Sequence, residues 1–340
     1  MTVPQTREQF SSHIPALHLL CNLGWNFLST AACLALRGST REVVLRPRLV
    51  EVLQTRRFEY KGAWYPLSPS GIEQIVRELS ALSLTEGLLP ANERLYQMLA
   101  LGITVTVFMP DGKKHQPTIA VIDWAEPAAN RWEVTEELEV LSTHGTHSRI
   151  PDLVCYVNGL PLVVIEAKRP ESGKAEKATV DEGISQNLRN QRHDEIPQLF
   201  AYAQLLLAVN HSEGRYGTTF TAAKFWARWR EEEFTDGQLA AWKNRPLSAA
   251  THAALFADKP AKLRDHFEQL WAQPMLPTEQ DRLLVALLTP ARLLEFLRFF
   301  VLFDRKVGKV VARYQQFFGI RALLRRIQQR RPDGGREGGI

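Results

Sequence analysis

Two carboxylates and an amine stand close in this sequence: Asp152 after Pro151, then Glu166 and Lys168 separated by one alanine. Between them run Leu153–Val157, the pair Asn158-Gly159, and the apolar stretch Leu162–Ile165. Hydrolysis of a phosphodiester needs a divalent cation that polarises a phosphoryl oxygen and brings water toward ionisation. Mg²⁺ takes a few carboxylate oxygens and keeps several waters, so two acids without His or Cys suit it. A neighbouring lysine orients or activates the attacking water and offsets charge on the phosphate. Asp152, Glu166 and Lys168 are therefore the candidate catalytic residues, with Asp152 and Glu166 as metal ligands.

The elements that must position them are two short strands. Residues i and i+2 of a strand share a face, so Glu166 and Lys168 project together. Register decides where Asp152 points. A plain two-residue turn at Asn158-Gly159 pairs Val157 with Leu160 and sets Pro151 opposite Glu166, which sends Asp152 to the wrong side. A three-residue connection, Asn158-Gly159-Leu160, which pairs Val157 with Pro161, or a bulge near Asp152, restores Asp152 to Glu166. The cation reading requires one or the other. The spacing by itself also fits a surface ion pair beside a turn aspartate.

Around this segment, helical periodicity appears over 7–23 (interrupted by Pro15), 70–82 and 91–101. Strand patterns follow at Ile103–Met109 and Thr118–Trp124, joined through Asp111-Gly112, and at Trp132–Leu141. A polar stretch turns helical from about Lys177, Leu205–Val209 reads as a buried strand, and Phe220–Trp229 as a further one. Beyond residue 231 the pattern is helical, over 237–246, 261–272, 278–289, 291–302 and 311–330. The expected architecture is an α/β domain over 1–230 followed by a helical extension over 231–340.

Composition narrows the class of protein. The 340 residues are 45% hydrophobic and 23% charged, ordinary for a globular chain. No apolar run approaches the roughly 18 residues of a membrane span, and the N-terminus lacks a signal-peptide stretch. Three scattered cysteines, Cys21, Cys33 and Cys155, argue against a disulfide framework or a cysteine zinc site and point to the cytoplasm. The net charge of +5 permits a polyanionic partner without requiring one.

The string RIPDLVCYVNGLPLVVIEAKRP resembles the PD-(D/E)xK nuclease signature, and in particular the nuclease region of Type I restriction enzyme restriction (R) subunits. Asp123-Trp124, the run 182–191, Ile196–Tyr202, Lys224–Ala227 and Ala312–Gln316 fit as well. The resemblance implies a PD-(D/E)xK endonuclease-like core, with a mixed central sheet flanked by helices. It further implies Mg²⁺ on Asp152 and Glu166, Lys168 as the catalytic lysine, and cleavage of double-stranded DNA. Relatives carry a QxxxY motif on the following helix; here Gln186 is followed by Asn190 rather than tyrosine, and Gln198–Tyr202 is a second match. Many relatives also use an acid on the first helix, for which Glu8 is the nearest residue.

Lys113, Lys114, Arg189 and Arg192, with Gln186 and Asn190, are candidate DNA contacts, and phosphate contacts of this kind carry no base information. In the resembled family an ATP-driven helicase motor follows the nuclease region, and the methyltransferase (M) and specificity (S) subunits are partners. Gln316 matches an adenine-contacting glutamine ahead of that motor. No P-loop occurs here, so ATP belongs to the full-length subunit and these residues are expected to lack ATPase activity. Two other readings remain: a non-catalytic DNA-binding or assembly module with a vestigial site, and a stand-alone repair or junction nuclease.

Overall fold

The computed structural model describes residues 12–169 and 180–329. Glu8, and the end of the expected extension after Gln329, lie outside the described residues. The chain begins with α1 (Ile14–Asn22), β1 (Asn26–Leu28), α2 (Thr30–Arg37) and α3 (Arg46–Thr55). The hairpin β2 (Arg57–Tyr60) and β3 (Ala63–Pro66) leads into α4 (Pro69–Ser80) and α5 (Leu88–Leu101). Four short strands follow: β4 (Ile103–Thr104), β5 (Val107–Phe108), β6 (Lys114–His115) and β7 (Thr118–Ile119). The nearly continuous strands expected over 103–124 are thus broken into two nested pairs, β4 with β7 and β5 with β6.

The central sheet has the order β1-β8-β11-β12-β13-β14 and is mixed. β8 (Trp132–Glu136) pairs parallel to β1 and antiparallel to β11 (Leu153–Val157), after the small hairpin of β9 (Val140–Leu141) and β10 (Ser148–Arg149). β12 (Leu160–Ala167) is antiparallel to β11 and parallel to β13 (Leu205–Asn210), and β14 (Glu213–Gly217) closes the edge. Strands β11, β12 and β13 are buried at every position, as their unbroken apolar runs require. The crossover between β12 and β13 carries α6 (Val180–Asn190) and the single-turn α7 (Pro197–Phe200). α6 lies on β12 and β13.

The turn between β11 and β12 is the two-residue form. Asn158 and Gly159 have φ of 54° and 80°, the doubly positive pair that matches strand twist, and Val157 pairs with Leu160. The expected bulge is present, but at Leu162 on β12, close to the turn, rather than near Asp152: Tyr156 faces Pro161, whereas Cys155 faces Val163. Continued past Leu153–Ile165, the ladder brings Asp152 opposite Glu166. The turn is locked from outside. A side chain on Gly159 would place Cβ 2.6 Å from the Leu45 carbonyl oxygen and 3.1 Å from Leu49 N, at the start of α3. Gly159→Val is expected to cost about 3 kcal/mol or more, combining clash with left-handed strain. Urea titration reads this directly, and a loss within about 0.5 kcal/mol, the range of an ordinary surface change, would contradict it.

Past the sheet come α8 (Asp236–Lys243), α9 (Ala249–Phe256), α10 (Ala261–Trp271), α11 (Glu279–Leu288) and α12 (Pro290–Phe299). Three of them pack on the sheet or its first helix: α8 contacts α1, α9 contacts β1, and α11 contacts β13, β14 and α1, while Trp25 Nε1 donates to the Leu288 carbonyl. Two expectations fail in this half. Phe220–Trp229 is a loop with one 3₁₀ turn that lies against the edge strand β14 and shares one backbone bridge with it, Tyr216–Ala227. The extension is also not wholly helical, because β15 (Val301–Asp304) and β16 (Gly308–Val311) form a hairpin before α13 (Tyr314–Gln328). That hairpin sends Lys309 into the interior, where its Nζ donates to Asn92 Oδ1 at 2.8 Å and Gln204 Oε1 at 2.7 Å. Burial pushes this ammonium well below its usual range. No helix among the described residues is long and apolar enough to cross a membrane.

Candidate active site

Asp152 and Lys168 each sit one residue outside a strand, yet both are still tied to the sheet's backbone: Glu137 N donates to the Asp152 carbonyl and Lys168 N to the Val209 carbonyl. The bulge at Leu162 settles which way they point. Asp152 Oδ2 accepts from the Ala167 amide at 2.7 Å and from Lys168 Nζ at 3.3 Å. The same ammonium lies 3.6 Å from Glu166 Oε2. The three side chains therefore share one face and one small volume. The side chains of Glu166 and Lys168 are each 3% exposed, whereas that of Asp152 is 22% exposed. A surface ion pair is excluded by that burial. One edge of the cluster opens to solvent through Asp152.

Charge within the cluster is unbalanced. Two carboxylates face one ammonium among the groups described. Burial, and then the Asp152 charge, push the Glu166 carboxyl well above the usual carboxylate range, against the opposing pull of Lys168. A buried acid beside a second acid favours a bound proton or a bound cation.

α6 packs directly behind the pair. A Cβ on Gly183 would lie 3.2 Å from the Cβ atoms of both Glu166 and Ala208, so only glycine allows this approach without displacement. Gln186, one turn further, is half-buried on the same helix. Asn190 is buried and its Oδ1 accepts from Arg189 Nε and Nη2, so its amide is engaged by its own neighbour. Arg192 is exposed just past the helix. Gln198 and Tyr202 are both pinned elsewhere, to the carbonyls of Leu141 and Leu79. Lys113 and Lys114 are exposed at the β5–β6 turn and make no contact with the acid pair among the described residues. Gln316 Oε1 accepts from Arg313 N at 2.8 Å, capping the start of α13.

Before Asp152, the β9–β10 hairpin is rooted at the site by Glu137 N to Asp152 O at 2.8 Å and Leu138 N to Pro151 O at 3.1 Å. Arg149 reaches Glu195 in the segment after α6 with two bonds of 2.6 Å, and His147 adds a third of 2.9 Å. The Arg149 contacts hold the Glu195 carboxyl at about 2, against its partial desolvation. This brace joins the segments flanking the site. Sequence reading missed it, because acid and base lie 46 residues apart.

Two further groups touch the site from behind. Ser12 Oγ donates to the Lys168 carbonyl at 2.6 Å, and His13 Nε2 donates to the Asp152 carbonyl at 2.8 Å. Nothing in the local pattern around Ser12 and His13 signals these contacts, which span 156 and 139 residues.

Comparison with known proteins adds a family. The description "Type I restriction enzyme R protein N terminus" matches residues 5–225. The Type I restriction enzyme HindI endonuclease subunit of Haemophilus influenzae is 29% identical over 258 residues, which is 75% of this chain and 21% of that protein. The putative type I restriction enzyme MjaIXP endonuclease subunit of Methanocaldococcus jannaschii is 25% identical over 233 residues, 68% of this chain and 20% of that protein. The chain thus spans about a fifth of the length of the curated relatives it matches.

Proposed function

Because this chain belongs to the family of the Type I restriction enzyme R protein N terminus, we propose that it is the DNA-cleaving part of such a subunit. On this reading the mixed sheet is a PD-(D/E)xK endonuclease core that hydrolyses phosphodiester bonds of double-stranded DNA, without sequence preference, in the presence of Mg²⁺. One observation carries it: two carboxylates and one ammonium converge on a single face, with Glu166 buried beside Asp152 and under-neutralised.

The residues fit the cation. Asp152 and Glu166 would hold it, since two oxygen donors leave room for the waters that Mg²⁺ retains. When bound, the ion polarises a phosphoryl oxygen and acidifies water. Lys168, held between its two acidic neighbours, would orient the attacking water by donating to it and would stabilise developing negative charge. Asp152 is the partly exposed member, and a phosphate would reach the cluster past it. In the full-length subunit an ATP-driven motor would deliver the DNA, with Gln316 near its adenine site. The methyltransferase and specificity subunits would be partners, and the cytoplasm the setting.

The test is supercoiled plasmid incubated with Mg²⁺ and no ATP, beside the same reaction in EDTA. Nicking that depends on Mg²⁺ and disappears in Asp152→Ala supports the reading. Nicking that persists undiminished in the variant at the same Mg²⁺ concentration does not come from this site, and that outcome, or no nicking at all, supports the vestigial-module alternative.

Exposed Lys113 and Lys114, with Arg189 and Arg192, are proposed to touch phosphates. Binding to duplex DNA is then expected to weaken steeply with salt. Replacing either pair with alanine should reduce the log–log slope by roughly 0.9 for each phosphate that is no longer neutralised. Titrations of two unrelated duplexes check this, and a slope unchanged in both variants would remove these residues from the interface.

A further inference from the structure

We infer that Ser12, His13 and Gln280 act as positioning residues that hold the two catalytic strand ends at the spacing a shared cation needs. The inference rests on the cation-site reading above. It begins at the strand ends: Asp152 precedes β11 and Lys168 follows β12, and each is tied to neighbouring backbone, Asp152 O by Glu137 N at 2.8 Å and Lys168 N by Val209 O at 2.7 Å. Consecutive residues of the π-helical turn that runs into α1 form a strap and add a side-chain donor to each strand end. Ser12 Oγ holds the Lys168 carbonyl at 2.6 Å, and His13 Nε2 holds the Asp152 carbonyl at 2.8 Å. Both acceptors are backbone oxygens, so the strap fixes the main chain beneath the functional groups and leaves the carboxylates and the ammonium to one another.

The strap is held in turn from far along the chain. Gln280 Nε2 donates to the Ser12 carbonyl at 2.9 Å, a contact spanning 268 residues. Gln280 is 1% exposed and stands in the first turn of α11. That end is set firmly, because Asp281 caps the helix through Thr278 and also pairs with Lys243 of α8. The helical region past residue 231 therefore reaches the catalytic strands through a buried relay, Gln280 to Ser12 to Lys168. Its other amide atom, Gln280 Oε1, is buried without a partner among the described residues. Retaining an unsatisfied buried oxygen costs stability, so a residue kept only for folding would be better apolar. The side-chain bond it does make is the bond to the strap.

The test measures Mg²⁺ binding to the whole chain by calorimetry, alongside thermal melting without metal, for Ser12→Ala, Ser12→Thr, His13→Ala and Gln280→Met. The alanine and methionine variants are expected to weaken Mg²⁺ binding about fivefold to tenfold, as removal of one hydrogen bond allows. Ser12→Thr, which keeps the hydroxyl, should restore wild-type affinity. Gln280→Met should melt no lower than wild type, since it also removes the orphaned oxygen. Affinity within twofold of wild type in all three removal variants overturns the positioning role while leaving the cation site standing. Weakening that merely tracks a lowered melting temperature, or that Ser12→Thr fails to restore, also overturns it. A wild-type chain that binds no Mg²⁺ sinks the cation-site reading and the positioning role together.

Discussion

Lys168→Met is expected to reduce Mg²⁺-dependent nicking of duplex DNA by about 10²–10³-fold without raising the Mg²⁺ concentration needed for half-maximal rate. The ammonium lies within 3.3 Å of Asp152 and 3.6 Å of Glu166, so in the metal-free protein it is their counter-charge. Removing it leaves two adjacent carboxylates facing each other, which favours a divalent cation rather than opposing it. Its absence should therefore appear in the rate of the chemical step, where a donor toward the attacking water and the charged phosphate is missing. Asp152→Ala is expected to show the opposite partition, with the Mg²⁺ requirement rising steeply, because a ligand has gone. Rate against Mg²⁺ concentration, measured for both variants, separates the roles. A Lys168→Met enzyme that cleaves within about threefold of wild type would remove the lysine from the chemistry, being far short of the expected 10²-fold.

The second large effect concerns stability and pH in the absence of metal. Burial and Asp152 hold the Glu166 carboxyl well above the range it has in the unfolded chain. Between the unfolded value, about 4.5, and the raised folded value, the native protein keeps a proton that the unfolded chain releases. Stability contributed by this group is thus fully present at low pH and lost as pH rises through that window, with a limiting slope of about 1.4 kcal/mol per pH unit. Glu166→Gln cannot ionise and should escape this loss. Urea midpoints of the two proteins in EDTA are expected to converge near pH 4 and to separate as pH rises, the variant becoming the more stable. Saturating Mg²⁺ should then rescue wild type and leave the variant nearly unmoved, because binding to the folded state alone stabilises it by mass action. A wild-type-minus-variant difference that stays flat from acid to neutral pH would show that Glu166 is not a buried, protonatable acid.

Much of the site was legible because it is local. The Asn158-Gly159 turn, the apolar runs on either side of it and the one-residue gap between Glu166 and Lys168 specify a hairpin with two charges at one end. Alternation gives their common face without reference to the rest of the chain. The long helices were legible for a similar reason. Their apolar stripes and the proline or serine at their starts mark α4, α5, α10, α11 and α12 within a few residues. Edge strands were not. β14 reads Glu-Gly-Arg-Tyr-Gly, poor in strand formers, and is a strand only because β13 offers it a ladder. β15 and β16 lie in a run of helical signals, and their pairing closes around a turn that Asp304 stabilises through the Lys306 and Val307 amides.

By itself, then, the amino-acid order determined the residue types, the hairpin and the pairing of Glu166 with Lys168 on one side, all consequences of chain geometry over a few residues. Whether Asp152 joined them was left open, since one residue of slip reverses every side chain of a strand. The tertiary structure decided it through the bulge at Leu162, in a hairpin whose turn is wedged against the start of α3. It alone also brought Ser12, His13 and Gln280 to the strand ends. Such bonds join segments 139 to 268 residues apart, and the burial of shared surface that brings those segments together is encoded by no local spacing.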